Sequence, residues 1–293
     1  MKQGFGFKAE LILVLVTVLA GFGWIFSKEA LFGLPPLFFM AARFIVAGFV
    51  LFLIGQRYFR GIKWVDLKQA ILIGIVMGIA MMSWITGLDK GTNLGVGAFI
   101  TCLGVVFVPI IGRLMFGIRP PMSIWVALPV AVVGLAFLAL SNGLSFESAH
   151  LYFLGTAIAL AFQLNLLSRF LVRMHALVLT SIQLIVAGVV LLSVSLPTET
   201  LPHSISMSVA GWFLASTLIS TSLRYLLQTY GLSLTPVSHG AVIMNLEPVW
   251  AAIFAVLWFN EVMTLGQVFG CFLIFVAMLV SRWPQIKGLF KSY

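Results

Sequence analysis

Arg43-Phe44-Ile45-Val46-Ala47-Gly48 and Gln183-Leu184-Ile185-Val186-Ala187-Gly188 share the run Ile-Val-Ala-Gly at an offset of 140 residues. The fold turns on what that repetition means. Further along, an offset of 143 sets Gly97-Ala98 over Gly240-Ala241, Leu103 over Leu246, Val106 over Val249 and Leu114 over Leu257. One short apolar match arises by chance. Several at a nearly constant offset, in a chain about twice that long, indicate an internal repeat.

The surroundings of these stretches identify their solvent. Of 293 residues, 61% are hydrophobic and only 9% charged. Soluble domains run near half apolar and about a quarter charged, so a water-soluble globule is excluded. A bilayer-spanning helix needs about 20 mostly apolar residues, and the composition leaves room for roughly nine or ten of them and little else. Ten apolar runs are found at 9–28, 35–55, 67–87, 94–116, 121–140, 151–170, 176–196, 207–228, 237–258 and 264–282. Gly33 to Pro36, Pro120-Pro121, Ser141-Asn142-Gly143, Pro197, Pro202 and Thr235-Pro236 punctuate them. The expected fold is an all-α integral membrane bundle.

The net charge of +9 is read through its distribution. With the N-terminus inside, alternate loops hold Lys2, Lys8, Arg57, Arg60, Lys63, Lys68, Arg113, Arg119, Arg169, Arg173, Arg282, Lys287 and Lys291. The opposite loops hold only Lys28 and Lys90, and Arg43 and Arg224 fall within spans. That is the positive-inside bias of a membrane protein, so both termini are expected in the cytoplasm and nucleic acid is not the partner. The first run has no small-x-small site before Lys28-Glu29 and is read as an uncleaved helix. Cys102 and Cys271 both sit in apolar runs and are read as packing residues.

Five spans per repeat is an odd number, so the second copy enters the membrane from the opposite side. The expected organisation is two inverted five-helix repeats, residues 1–142 and 143–293. Such a pair supports outward-open and inward-open states of similar energy, which favours a carrier.

Asn245-Leu246-Glu247-Pro248-Val249-Trp250-Ala251-Ala252, followed by Trp258-Phe259-Asn260-Glu261 and Gly266-Gln267, resembles the last two helices of the EamA-type carriers of the drug/metabolite transporter superfamily. Ala98-Phe99-Ile100-Thr101-Cys102-Leu103-Gly104-Val105-Val106-Phe107-Val108-Pro109 is similar to that family's fourth helix, and Arg43-Phe44 to the start of its second. The resemblance covers essentially the whole chain. It implies ten helices in two inverted halves, a central cavity, and export of amino acids or other small metabolites from bacteria. This chain departs from the pattern in two places. Gly104-Val105 stands where the second half has Glu247-Pro248, and the usual Gly-Glu-Arg ending is reduced to Phe259-Asn260-Glu261-Val262 and Gly117-Ile118-Arg119.

Glu247 lies about ten residues, roughly 15 Å, into the ninth span, near the midplane. An intramembrane carboxylate is costly and a functional candidate by default. Open to it are a substrate-amine contact, a proton site, a gate, or a structural role at a helix end; Pro248 after it favours a kink. His239, eight residues earlier, either faces the same cavity or hydrogen-bonds at the interface. Arg224 either snorkels to the inner headgroups or pairs with substrate or Glu247. Arg43 lies deeper, and either pairs with backbone carbonyls or meets a substrate carboxylate. Gln163 and Asn165 are two residues apart and cannot share a helix face, so one is expected in the cavity and the other on a neighbouring helix. Trp24 and Ser27 in the first span, and Trp84, Asn93, Thr101, Gln228 and Asn245, are further lining or packing candidates. Gly74/Gly78 and Gly266/Gly270 have the spacing for close helix packing within the monomer.

No His-Glu-x-x-His, Gly-Lys-Ser/Thr, Gly-x-Ser-x-Gly or Cys-x-x-Cys motif is present, so no enzyme, cofactor or metal centre is expected. The expected function is secondary transport of small metabolites, amino acids foremost, through the bacterial inner membrane. Its partners would be the bilayer, the substrate, and protons or a counter-substrate, and the protein a monomer or weak dimer. Lipophilic-cation efflux and a lipid-handling membrane protein are the alternatives.

Overall fold

The computed structural model describes residues 3–90, 100–139, 148–171, 174–201, 204–259, 264–281 and 283; the side chain of Trp24, Asn93 and Glu261 lie outside the described part. Among the described residues every regular element is helical. The helices are α1 (Gln3–Ala30), α2 (Pro36–Gly55), α3 (Trp64–Lys90), α4 (Gly104–Phe116), α5 (Met122–Ala139) and α6 (Ala149–Phe170) in the first stretch. They continue with α7 (Ala176–Thr198), α8 (Met207–Thr217), α9 (Arg224–Ser233), α10 (Val237–Met244), α11 (Glu247–Phe259) and α12 (Leu265–Ser281). Helix thus covers the described part of each apolar run. Pro36, Pro120-Pro121 and Pro236 stand at helix starts, whereas Pro197, expected as a break, lies inside the last turn of α7; Ser141-Asn142-Gly143 and Pro202 lie outside the described residues. Pro36 starts α2 at the first turn, where its missing N–H costs nothing. Ser206 caps α8 by accepting from Val209 N, and His175 caps α7 by accepting from Leu177 N.

Among the described residues, five segments are long and apolar enough to cross a membrane: Lys8–Ser27, Pro36–Phe59, Trp64–Gly87, Ala149–Phe170 and Ala176–Thr198. Ile100–Phe116, Met122–Phe137 and Leu265–Ser281 are shorter apolar helices. Large apolar side chains stand exposed along their outer faces, among them Phe49, Leu53, Leu72, Ile79, Val133 and Phe272. In water this exposure would be untenable for so many helices; against lipid tails it is the ordinary outer face of a bundle.

At the centre α2 and α7 lie face to face. Gly55 meets Leu177, Gly48 meets Ser181 and Ile185, and Gly188 meets Ile45 and Ala41. Numbers rise on one helix as they fall on the other, so the two run antiparallel. Ser181 Oγ donates to Gly48 O at 2.8 Å across the crossing. At one end of this pair the Glu199 carboxylate accepts from the free amides of Leu37 and Phe38 at 2.8 and 2.7 Å, with Ser195 Oγ steadying it at 2.8 Å. At the other end the His175 ring stacks on Tyr58 at 4.1 Å.

Around that centre α3 packs on α6 and α7, while α1 packs on α8, α9 and α11. Gly74 and Gly78 of α3 lie against Val186 and Val190 of α7, so this small-residue pair serves packing within the chain. To one side α5 and α12 form an antiparallel pair, with Gly134 against Gly270 O and Leu273, and the rings of Phe137 and Phe269 at 5.2 Å.

Two helical stretches are broken at matched places. In the first half the helix interrupts at Leu103; in the second it interrupts at Asn245-Leu246. At the offset of 143, Leu103 falls on Leu246. A second irregularity is a π-helical turn at Leu218–Leu223 between α8 and α9. Its buried hydroxyls bond back five residues: Thr221 Oγ1 donates to Ser216 O at 3.0 Å and Ser222 Oγ to Thr217 O at 2.9 Å. A wide turn of this kind exposes carbonyls that regular helix would occupy, and the hydroxyls take them up.

Candidate functional site

Glu247 is the first residue of α11, not an interior residue of a continuous helix. The kink expected at Pro248 is a full break, with Pro248 in the first turn of the new helix, where proline is tolerated. The N-terminal end of a helix dipole favours a carboxylate, and Glu247 sits on it. From across the bundle Arg224, the first residue of α9, donates Nη2 to Glu247 Oε2 at 2.9 Å. The pair is mostly but not wholly enclosed, with the two side chains 15% and 29% exposed. Of the two readings open to Arg224, the structure has the Glu247 partner. The Arg224 guanidinium also lies 4.6 Å from the Tyr225 ring, whose edge meets Phe44 at 5.9 Å.

Arg43 joins three helices. Its Nη1 donates to Ser27 Oγ of α1 at 2.9 Å and to Ser216 Oγ of α8 at 3.0 Å. Its guanidinium lies 5.2 Å from the Phe39 ring and 5.4 Å from the Phe44 ring. The partners are hydroxyls, not the carbonyls expected from sequence. Toward the other end of α1, His239 Nε2 stands 3.7 Å from Glu10 Oε1, both buried. Glu10–His239 and Ser27–Arg43–Ser216 therefore stand toward opposite ends of α1.

Between them the helices close tightly. A methyl group placed on Gly21 would come within 2.9 Å of Trp250 Cβ, and one on Gly23 within 2.9 Å of Ser220 Cβ. An aromatic seam runs outward from Trp250: Trp250 to Phe254, Phe254 to Phe22 at 4.1 Å, Phe22 to Phe26, and Phe26 to Trp212 at 5.8 Å. Hollows of about 300 Å³ beside Ser168, Leu232, Thr235 and Pro236, and of about 280 Å³ beside Arg113 and Trp125, do not reach the ion pair.

Gln163 and Asn165 are both buried and both bound to neighbouring helices. Asn165 Nδ2 donates to Val108 O of α4 at 3.0 Å, and Gln163 Nε2 to Gln183 Oε1 of α7 at 3.4 Å. Both act as interhelical ties, where one cavity residue had been expected. Trp84 packs beside the cluster built on Phe39, Phe44 and Met81. Asn245 is buried in the break before Glu247. Glu10, Glu199, Ser216 and Tyr225 were not anticipated. A carboxylate inside the first apolar run was the available signal for Glu10, and none in sequence singled out the others.

A family model for EamA-like transporters matches residues 7–140 and again 147–283. The chain belongs to the EamA-like transporter family. It is a multi-pass membrane protein and a transporter. It is 29% identical over 272 residues to an uncharacterized transporter of Archaeoglobus fulgidus, covering 93% of this chain and 85% of that one. It is 24% identical over 287 residues to the uncharacterized transporter YoaV of Bacillus subtilis, covering 94% and 97%. A crystal structure with 16% sequence identity superposes with a TM-score of 0.78 over 94% of this chain and 96% of that one, a likeness of fold.

Proposed function

We propose that this EamA-like chain is a secondary carrier exporting small amphoteric metabolites, amino acids foremost, by alternating access. In this reading ten spans form two inverted five-helix repeats, residues 1–142 and 143–293, in a bacterial inner membrane with both tails cytoplasmic. The antiparallel α2–α7 crossing, the matched breaks at Leu103 and Leu246, and the family model's two separate matches support the inversion. Broken helices at corresponding places in two halves are the usual location of a carrier's site.

One observation carries the substrate class. Around the Arg224–Glu247 pair, several buried polar atoms have no hydrogen-bond partner among the described residues: the donors Asn245 Nδ2, Trp250 Nε1 and Arg224 Nε, and the acceptor Gln228 Oε1. Gln228 is one turn from Arg224 and Trp250 one turn from Glu247, so each extends its neighbour's face. Unsatisfied buried groups of both kinds call for a ligand with both kinds of group. A zwitterion fits. Its carboxylate takes Arg224 and the spare donors, and its ammonium takes Glu247 and the Gln228 oxygen. A lipophilic cation would occupy Glu247 and strand Arg224, which weighs against efflux of such cations. The driving force is the substrate gradient, protons or exchange.

The test is a comparison of excreted small molecules in cells with and without overproduced protein. A rise in one or more amino acids, abolished by Glu247→Gln, supports the reading. Raised tolerance to lipophilic cations with unchanged amino acids would replace it.

A further inference from the structure

We propose that the turn joining α4 to α5 holds the headgroup of an anionic phospholipid. This site is separate from the transport pathway and does not depend on which substrate is carried. Helix α4 ends at Phe116, and Gly117 follows with φ of 65°, a left-handed conformation that glycine adopts freely. The N–H groups of Gly117 and Ile118 both return to Gly112 O, the latter at 2.9 Å. That reversal carries Arg119 back to the level of Arg113. The two arginines, with Pro120 and Trp125, line a hollow of about 280 Å³.

The chemistry of the lining selects the occupant. Among the described residues neither arginine is within ion-pair distance of a carboxylate. Paired guanidiniums are suited to phosphate, whose oxygens accept two parallel N–H bonds. The first amides of α5 add partial positive charge on the same side. A zwitterionic headgroup would bring its own ammonium toward two uncompensated guanidiniums, so a net negative headgroup is preferred.

The surface beside the hollow favours a lipid over a free anion. Met122, Val126, Val133 and Phe137 are exposed along α5. Their spacing of four, seven and four puts them on one stripe, running from the hollow into the apolar layer. Leu114 and Met115 stand exposed at the end of α4. Trp125 is half-buried at the rim, the depth at which tryptophan anchors a membrane protein. Headgroup in the hollow and acyl chain on the stripe is one continuous fit. The repeat-matched loop reads Phe259-Asn260-Glu261-Val262 and carries no arginine, so the preference is confined to one leaflet, the one that the basic loops assign to the cytoplasm.

The experiment is native mass spectrometry of the full chain in detergent, titrated with phosphatidylglycerol, phosphatidylcholine or inorganic phosphate. Phosphatidylglycerol should bind best, and R113Q/R119Q should weaken it by about thirty-fold, from the contribution of two surface arginines. Both residues are exposed, so an unchanged circular-dichroism melt shows that the variant is folded. R57Q/K68Q removes equal charge elsewhere and should leave binding unchanged. Unaltered binding in R113Q/R119Q, an equal loss in R57Q/K68Q, or displacement of the lipid by equimolar inorganic phosphate would each overturn the proposal.

Discussion

Gly48 of α2 and Gly188 of α7 occupy the same surroundings. A methyl group on Gly48 would come within 2.6 Å of Ile185 Cγ1 and 2.9 Å of Ile185 N and Ser181 O. One on Gly188 would come within 2.6 Å of Ile45 Cγ1 and 2.9 Å of Ile45 N and Ala41 O. Ala41, Ile45 and Gly48 fall on Ser181, Ile185 and Gly188 at the offset of 140, so the helices meet through reciprocal contacts of matching residues. Gly48→Ala and Gly188→Ala should therefore each destabilise the fold by about 1–3 kcal/mol, by similar amounts, because backbone cannot yield to the methyl. Gly211 has nothing within 4 Å, and Gly211→Ala should be neutral or slightly stabilising. Thermal unfolding in detergent reads all three.

On the proposed reading the Arg224–Glu247 pair has separable structural and transport roles. Removing either charge strands the other, at about 1–3 kcal/mol for a pair that retains some exposure. R224Q/E247Q strands neither, so it should recover much of the lost stability while remaining inactive. Recovery of transport along with stability would reduce the pair to a structural tie. Glu247→Gln should impair transport far more than Glu261→Gln, which follows α11 in the sequence.

That the apolar runs are helical was readable in the sequence, because apolar length and most of the Pro/Gly punctuation act locally. The close packing of Gly74 and Gly78 was readable from their spacing. The break at Asn245-Leu246 was read only as a kink at Pro248, since a proline in a first helical turn and one in an interior look alike in sequence. Gln163 and Asn165 illustrate a different limit. Their spacing forbids one shared face, yet at a crowded crossing both faces meet other helices, so both became ties. The Glu10–His239 approach joins residues far apart in the chain, and no local pattern announces it.

Glu199 binds the start of α2 from the end of α7. Glu199→Ala leaves two helix-terminal amides without their charged acceptor and should cost about 1–2 kcal/mol. Hydrogen exchange at Leu37 and Phe38 should rise while exchange in the middle of α2 stays slow. Uniform acceleration along α2 would mean that the carboxylate supports the whole crossing and not its end.

The inverted arrangement predicts tails on one side. Cysteines introduced at Lys2 and Lys291 should both resist an impermeant thiol reagent in intact cells and both react in inside-out vesicles. Opposite behaviour of the two positions would rule out an even number of crossings.

The most direct measurement is counterflow in proteoliposomes. Vesicles containing the wild-type protein and loaded with an unlabelled amino-acid mixture should accumulate an external labelled amino acid. Glu247→Gln and R224Q/E247Q vesicles should not. No counterflow of any amino acid by folded wild-type protein, or equal counterflow by the variants, would contradict a zwitterion site at Arg224 and Glu247.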